Sequence, residues 1–130
     1  MKTIIFALLM VLCVPAMAFS GQWDGSIQGL TCALHGKVCP SGMEDPYIAV
    51  EDNFVLLTGD DTWFLLPNLS EDILVRYLNE AVRVIGTKNA KHNAITVEKL
   101  QAKKNGEWKT IWSEDLEKDV RNLIQTWGGF

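Results

Sequence analysis

Three residues in the stretch Leu30–Pro40, LTCALHGKVCP, could do chemistry: Cys32, His35 and Cys39. Thiolates and imidazoles are soft ligands, and at the spacing Cys-x2-His-x3-Cys the three could hold zinc or copper. The two thiols could instead join as a disulfide, or cycle between reduced and oxidised states. A redox enzyme typically carries Cys-x-x-Cys, whereas six residues separate this pair. In an oxidising compartment two close cysteines pair by default, and closing so short a loop stabilises a fold by about 2.5 kcal/mol in the chain-entropy model. The expectation is a local structural disulfide between Cys32 and Cys39, no bound metal, and His35 a solvated loop residue. A metal-binding or thiol-redox site built from Cys32, His35 and Cys39 is the alternative.

No other segment carries a recognisable reaction. Gly-x-Ser-x-Gly, phosphate-loop and dinucleotide patterns are absent, so no catalytic residue and no cofactor are expected, and the chain reads as a non-enzyme. Acid pairs recur at Glu44-Asp45, Glu51-Asp52, Asp60-Asp61, Glu71-Asp72 and Glu114-Asp115 without the alternation of a calcium loop. Turn and helix-start roles account for them. His92, in the polar Lys91-His92-Asn93, reads as surface. Trp23, Trp63, Trp108, Trp112 and Trp127 are many for a chain this short; most are expected in the core or under the last helix, with one or two free to floor a ligand groove.

The compartment follows from the start of the chain. Lys2, the apolar run Ile4–Val14 and the small-x-small Ala16-Met17-Ala18 read as a secretory signal, residues 1–18, too short to span a bilayer. Leu12 stands where a lipoprotein signal needs a small residue before Cys13, so a free periplasmic or secreted product is expected. Removing 18 of 130 residues leaves 112, enough for one domain (19–130), and the loss of Lys2 takes the formal charge from −4 to −5. No basic cluster exceeds Lys103-Lys104. This acidity disfavours nucleic acid and anionic membranes as partners and leaves small molecules, cations and proteins.

The elements that must position these residues are mostly strands. The glycine-punctuated Ser26–Cys32 reads as a first strand, curled where the glycines recur. Pro40-Ser41-Gly42 and Glu44-Asp45-Pro46 read as irregular chain, with Tyr47–Val50 a β-rich run. Phe-Val-Leu-Leu-Thr and Thr-Trp-Phe-Leu-Leu around Gly59-Asp60-Asp61 form a hairpin with a three-residue loop. Ser70 reads as the N-cap of a short helix from Glu71 to about Asn79 whose apolar side plugs a core. Strands follow at 81–87 and 94–100, the second with a bulge between Val97 and Leu100. Asn105-Gly106 then turns into 107–112, where simple alternation puts Trp108, Thr110 and Trp112 on one face. Ser113 caps a last helix whose stripe of Leu116, Val120, Leu123, Ile124 and Trp127 is expected to pack on something, completing either the core or, as a further alternative, an interface with a partner protein.

Arg83-Val84-Ile85-Gly86-Thr87, a polar loop, then Ala94-Ile95-Thr96-Val97-Glu98-Lys99-Leu100, preceded by a hairpin and a helix, resembles the second half of OB-fold-like domains in small exported bacterial proteins. The similarity covers about Ser26 to Ala102. It implies a five-stranded barrel with the short helix between strands 3 and 4 plugging one end. The last strand and the C-terminal helix are additions to that plan. Oligonucleotide binding does not carry over, because it requires a basic face with stacking aromatics. The function expected is a non-catalytic binding or interaction module. Its ligand surface would be the face made by the 53–66 hairpin and the first strand, beside the Cys32–Cys39 loop.

Overall fold

The structure, a computed structural model, describes residues 20–128, so the expected signal segment 1–18, Cys13 included, lies outside the described residues. The elements are β1 (Gly21–Gly29), α1 (Leu30–Leu34), α2 (Glu44–Ile48), β2 (Phe54–Thr58), β3 (Trp63–Phe64), α3 (Glu71–Val75), β4 (Ala81–Asn89), β5 (Ala94–Lys104), β6 (Glu107–Ser113) and α4 (Glu114–Trp127). The fold is mostly β: one open antiparallel sheet of six strands in the order β3-β2-β1-β4-β5-β6, followed by the C-terminal helix. The ladder does not close into the expected five-stranded barrel. Just past β3, Leu65 N–H donates to Asn93 O and Ile95 N–H donates to Leu65 O, both at 2.9 Å, in an isolated parallel bridge.

One face of the sheet holds the core, with Ile27, Leu56, Val82, Val84, Ile95 and Leu100 wholly buried. α3 covers the end of this core through Leu74, and Asn79 N–H donates to Ile27 O at 2.9 Å. The helix stops at Val75, short of the expected Asn79, and Ser70 holds the N-cap position without a side-chain hydrogen bond. Its carbonyl oxygen accepts instead from Ile73 and Leu74.

The expected bulge is present. Ile85 faces Lys99 and Gly86 faces Val97, which leaves Glu98 unopposed. The hairpin loop is also as expected: Thr58 N–H donates to Thr62 O across Gly59–Asp61, and Asp61 takes the left-handed conformation. A second irregularity lies in β6, where Leu100 faces Trp112 and Gln101 faces Thr110, leaving Ile111 as the extra residue. That residue shifts the phase, so the tryptophans do not share a face. Trp112 enters the core, whereas Trp108 lies on the opposite side beneath the Arg83 guanidinium, 4.3 Å from its ring centroid. Arg83 also forks onto Asp24 at 2.7 and 2.8 Å, and this ion pair holds the Asp24 carboxyl below its ordinary range.

Two segments depart from expectation before β2. β1 ends at Gly29, and Cys32 lies on the helix α1 rather than on a strand. The reason is burial: Val55 and Leu57 face away from the main core, and α1 lays Leu30 and Ala33 over them as a second, smaller core with Trp63. The stretch around Pro46 is helical because the proline falls in the first turn of α2, where no intrahelical N–H bond is lost. Glu44 and Asp45 suit the positive end of that turn.

Candidate functional site

The two cysteines meet at the corner where β1 gives way to α1. Gln28, almost wholly buried in β1, accepts the Cys39 N–H at Oε1 (2.6 Å) and donates from Nε2 to Ser26 Oγ (2.9 Å). The next residue, Gly29, donates its N–H to Cys39 Sγ at 3.2 Å. Cys39 is 1 % exposed, Cys32 is half-buried, and the side chains of Cys32 and Tyr47 adjoin the Cys39 sulfur. Both are free thiols in the structure, brought side by side but not joined.

Glu51 ties this corner together. Its Oε2 accepts from Tyr47 OH (2.6 Å) and Thr31 N–H (3.1 Å), and its Oε1 accepts from Asn53 N–H (3.2 Å). Room for the cluster comes from Gly29, since a Cβ there would stand 2.1 Å from Tyr47 Oη and 2.7 Å from Glu51 Oε2. Burial pushes the Cys39 thiol up, with Cys32 adding to the rise, while the Gly29 amide opposes it. Burial also raises the Tyr47 hydroxyl, and the neighbouring Cys32 and the hydrogen bond to Glu51 add to the rise. For the Glu51 carboxyl burial acts upward too, but the hydrogen bonds from Tyr47, Thr31 and Asn53 outweigh it and hold the group low.

The sign of the Glu51 effect is testable. A carboxyl lowered in the folded state stabilises the fold above its ordinary range, and that stabilisation disappears as pH falls through the folded value. Glu51→Ala is expected to cost about 2 kcal/mol at pH 7, the scale of hydrogen bonds to a charged group. In urea unfolding at stepped pH the gap from the parent should close below about pH 4; a pH-independent gap would show that the charge is immaterial.

His35 follows α1 as its C-cap and is exposed. Among the described residues no three His, Cys, Asp or Glu side chains gather to hold a metal ion, so His35 does not join the thiols. Tyr47, Glu51 and Gln28 were not legible as site residues. Tyr47 stood in an expected strand, Glu51 in one of five acid pairs, and Gln28 had no motif around it.

The expected ligand face on the 53–66 hairpin is partly covered, because α1 buries Val55 and Leu57. The open apolar surface lies elsewhere, along α4. Ser113 Oγ accepts from Leu116 N–H and starts this helix, and Trp112 Nε1 donates to Glu117 Oε2 at 3.0 Å. No residue of α4 is buried; its stripe is exposed from 42 % at Leu116 to 83 % at Trp127. Between α4, α3 and β6 lies an open groove of about 530 Å³, lined by Ile73, Ile111, Trp112, Leu116, Val120 and Ile124 among others. Lys118 pairs with Glu114 and Arg121 with Glu117, which leaves Asp115 and Asp119 without a cationic partner on the helix.

Among the described residues no helix is long and apolar enough to cross a membrane. No protein-family model matches the chain, and neither the curated proteins nor the solved structures offer a match.

Proposed function

We propose that the chain is an exported, non-catalytic interaction module: an OB-fold-like domain that presents α4 and its adjoining groove to a partner protein. The observation that carries this reading is the stripe Leu116, Val120, Leu123, Ile124 and Trp127, which the chain's own sheet leaves open. A contiguous apolar surface of this kind, rimmed by polar residues, marks an interaction site on a water-soluble domain. On a helical wheel Asp119, without a cationic partner on the helix, flanks the stripe on one side and the Glu117–Arg121 pair on the other, and the helix carries four acids against two bases. The fitting occupant is an apolar helical segment with basic flanks, lying in the groove.

The OB-like reading draws support from Leu65, whose two hydrogen bonds bring the end of β3 beside the start of β5 without closing the sheet into a barrel. α3, between the third and fourth strands, lies over the end of the core, as the OB-like plan requires. Export rests on the signal-like residues 1–18.

The test uses two labelled synthetic helices, identical in a Leu/Trp stripe at i, i+3, i+4 and i+7, one flanked by lysines and the other by glutamates. Fluorescence anisotropy with the full chain should give at least tenfold tighter binding of the lysine form. Ile124→Glu with Trp127→Glu should remove it while leaving the melting temperature nearly unchanged, since both side chains are exposed. Equal affinity for both peptides, or binding that survives the double variant, would overturn the assignment.

A further inference from the structure

Independently of α4, we infer that Cys32 and Cys39 form one reversible dithiol/disulfide couple, in which Cys32 exchanges with an external disulfide and the buried Cys39 resolves the exchange. Two observations on placement give the roles. Cys32 sits half-buried on α1 and is the more exposed of the two, whereas Cys39 is 1 % exposed. Nucleophilic exchange needs in-line access to sulfur, so only Cys32 can take the first step.

A third observation separates an exchangeable bond from a fixed staple. The segment is fastened without any sulfur–sulfur bond: Cys39 N–H to Gln28, Leu30 N–H to Asn53 O at 2.8 Å, and Thr31 N–H and Tyr47 OH to Glu51. Both redox forms therefore keep the same fold. The Gly29 N–H aimed at Cys39 Sγ adds a chemical reason for reversibility, because a backbone donor stabilises the negative charge that develops on that sulfur when the bond is broken. Burial raises the Cys39 thiol and the neighbouring Cys32 adds to the rise, which suits Cys39 to the second step rather than the first.

The exchange balances as follows. The Cys32 thiolate attacks one sulfur of an external disulfide, R–S–S–R; a Cys32–S–S–R bond forms and the first RS⁻ leaves, taking up the proton that Cys32 released. Cys39 then gives its proton to solvent and attacks Cys32 Sγ; the Cys32–Cys39 bond forms and the second RS⁻ leaves and is protonated. Two protein thiols are oxidised and one external disulfide is reduced to two thiols.

The test places the full chain carrying Cys13→Ser, so that Cys32 and Cys39 are its two thiols, in glutathione/glutathione-disulfide buffers, quenches with acid, alkylates and weighs the products. Oxidised protein, which lacks the two alkyl groups that the reduced form takes up, should rise and fall reversibly with the buffer ratio. In Cys39→Ser, the glutathione mixed disulfide should accumulate on Cys32 at least tenfold faster than it does on Cys39 in Cys32→Ser. Cys32→Ser/Cys39→Ser should melt within a few degrees of the reduced parent, which shows that the single variants report reactivity rather than unfolding. A disulfide that no glutathione ratio reduces, a pair that never oxidises, or a Cys39 as reactive as Cys32 would each overturn the inference.

Discussion

Trp112→Ala should destabilise the domain by about 4 kcal/mol, within the range for truncating a buried tryptophan, and lower the melting temperature by on the order of 15 °C. Trp112 is 7 % exposed, lies opposite Leu100 on the core side of the sheet, and donates its indole N–H to Glu117 at the base of α4. Truncation opens a cavity beside Leu100, removes the floor of the groove and frees the first turns of α4. Thermal melts and peptide anisotropy should therefore fail together in this variant. The contrast is Trp127→Ala: at 83 % exposure it should stay within about 0.5 kcal/mol of the parent. If the two tryptophans cost the same, the division between a core residue and a docking residue is wrong.

Gly86→Ala should cost about 3 kcal/mol, at the top of the usual range for overpacking. A Cβ at this position would lie 2.1 Å from the Thr96 carbonyl oxygen and 3.0 Å from Val97 Cα, and both are backbone atoms that no rotamer change can move. Relief requires β4 and β5 to separate beside the Glu98 bulge, the irregularity nearest the start of β5. The same strain should reach the Leu65–Ala94 bridge, whose two hydrogen bonds are donated by Leu65 and Ile95. Amide exchange at those two residues is expected to rise in the variant relative to the β1–β2 ladder. If their exchange is already as fast as that of a loop in the parent, the proposed OB-like plan loses its support.

What the sequence revealed and what it hid divide along physical lines. Turn chemistry is local, and so the Gly59–Asp61 loop and the Asn105-Gly106 turn, both of whose residues take positive φ, were readable from a few residues. The Glu98 bulge was readable because the inward phase of β5 slips between Val97 and Leu100. The β6 bulge was not, since Ile111 and Trp112 are both apolar and either alternation fits them. α1 escaped for a different reason: Thr31-Cys32-Ala33-Leu34 has no helix signature of its own, and only the uncovered side of Val55 and Leu57 makes a helix there favourable. The amphipathic pattern of α4 gave its extent correctly but not its surroundings. Periodicity records that a stripe exists and is silent on what meets it.

The cover that α1 lays over β2 makes residues 30–53 a separable unit of stability. Glu51 ties this segment to itself, and its hold on the sheet is the pair of bonds between Cys39 and Gln28 and Gly29 together with the apolar cover of Val55 and Leu57, whereas β1, β2, β4 and β5 are laced by backbone ladders. Such a segment opens at lower free energy than the sheet beneath it. An opening of this kind bares Val55 and Leu57 with Trp63 and, in the same movement, delivers the Cys39 sulfur to solvent. Exposure of that second apolar face and exposure of the Cys39 sulfur are therefore expected to rise and fall as one event.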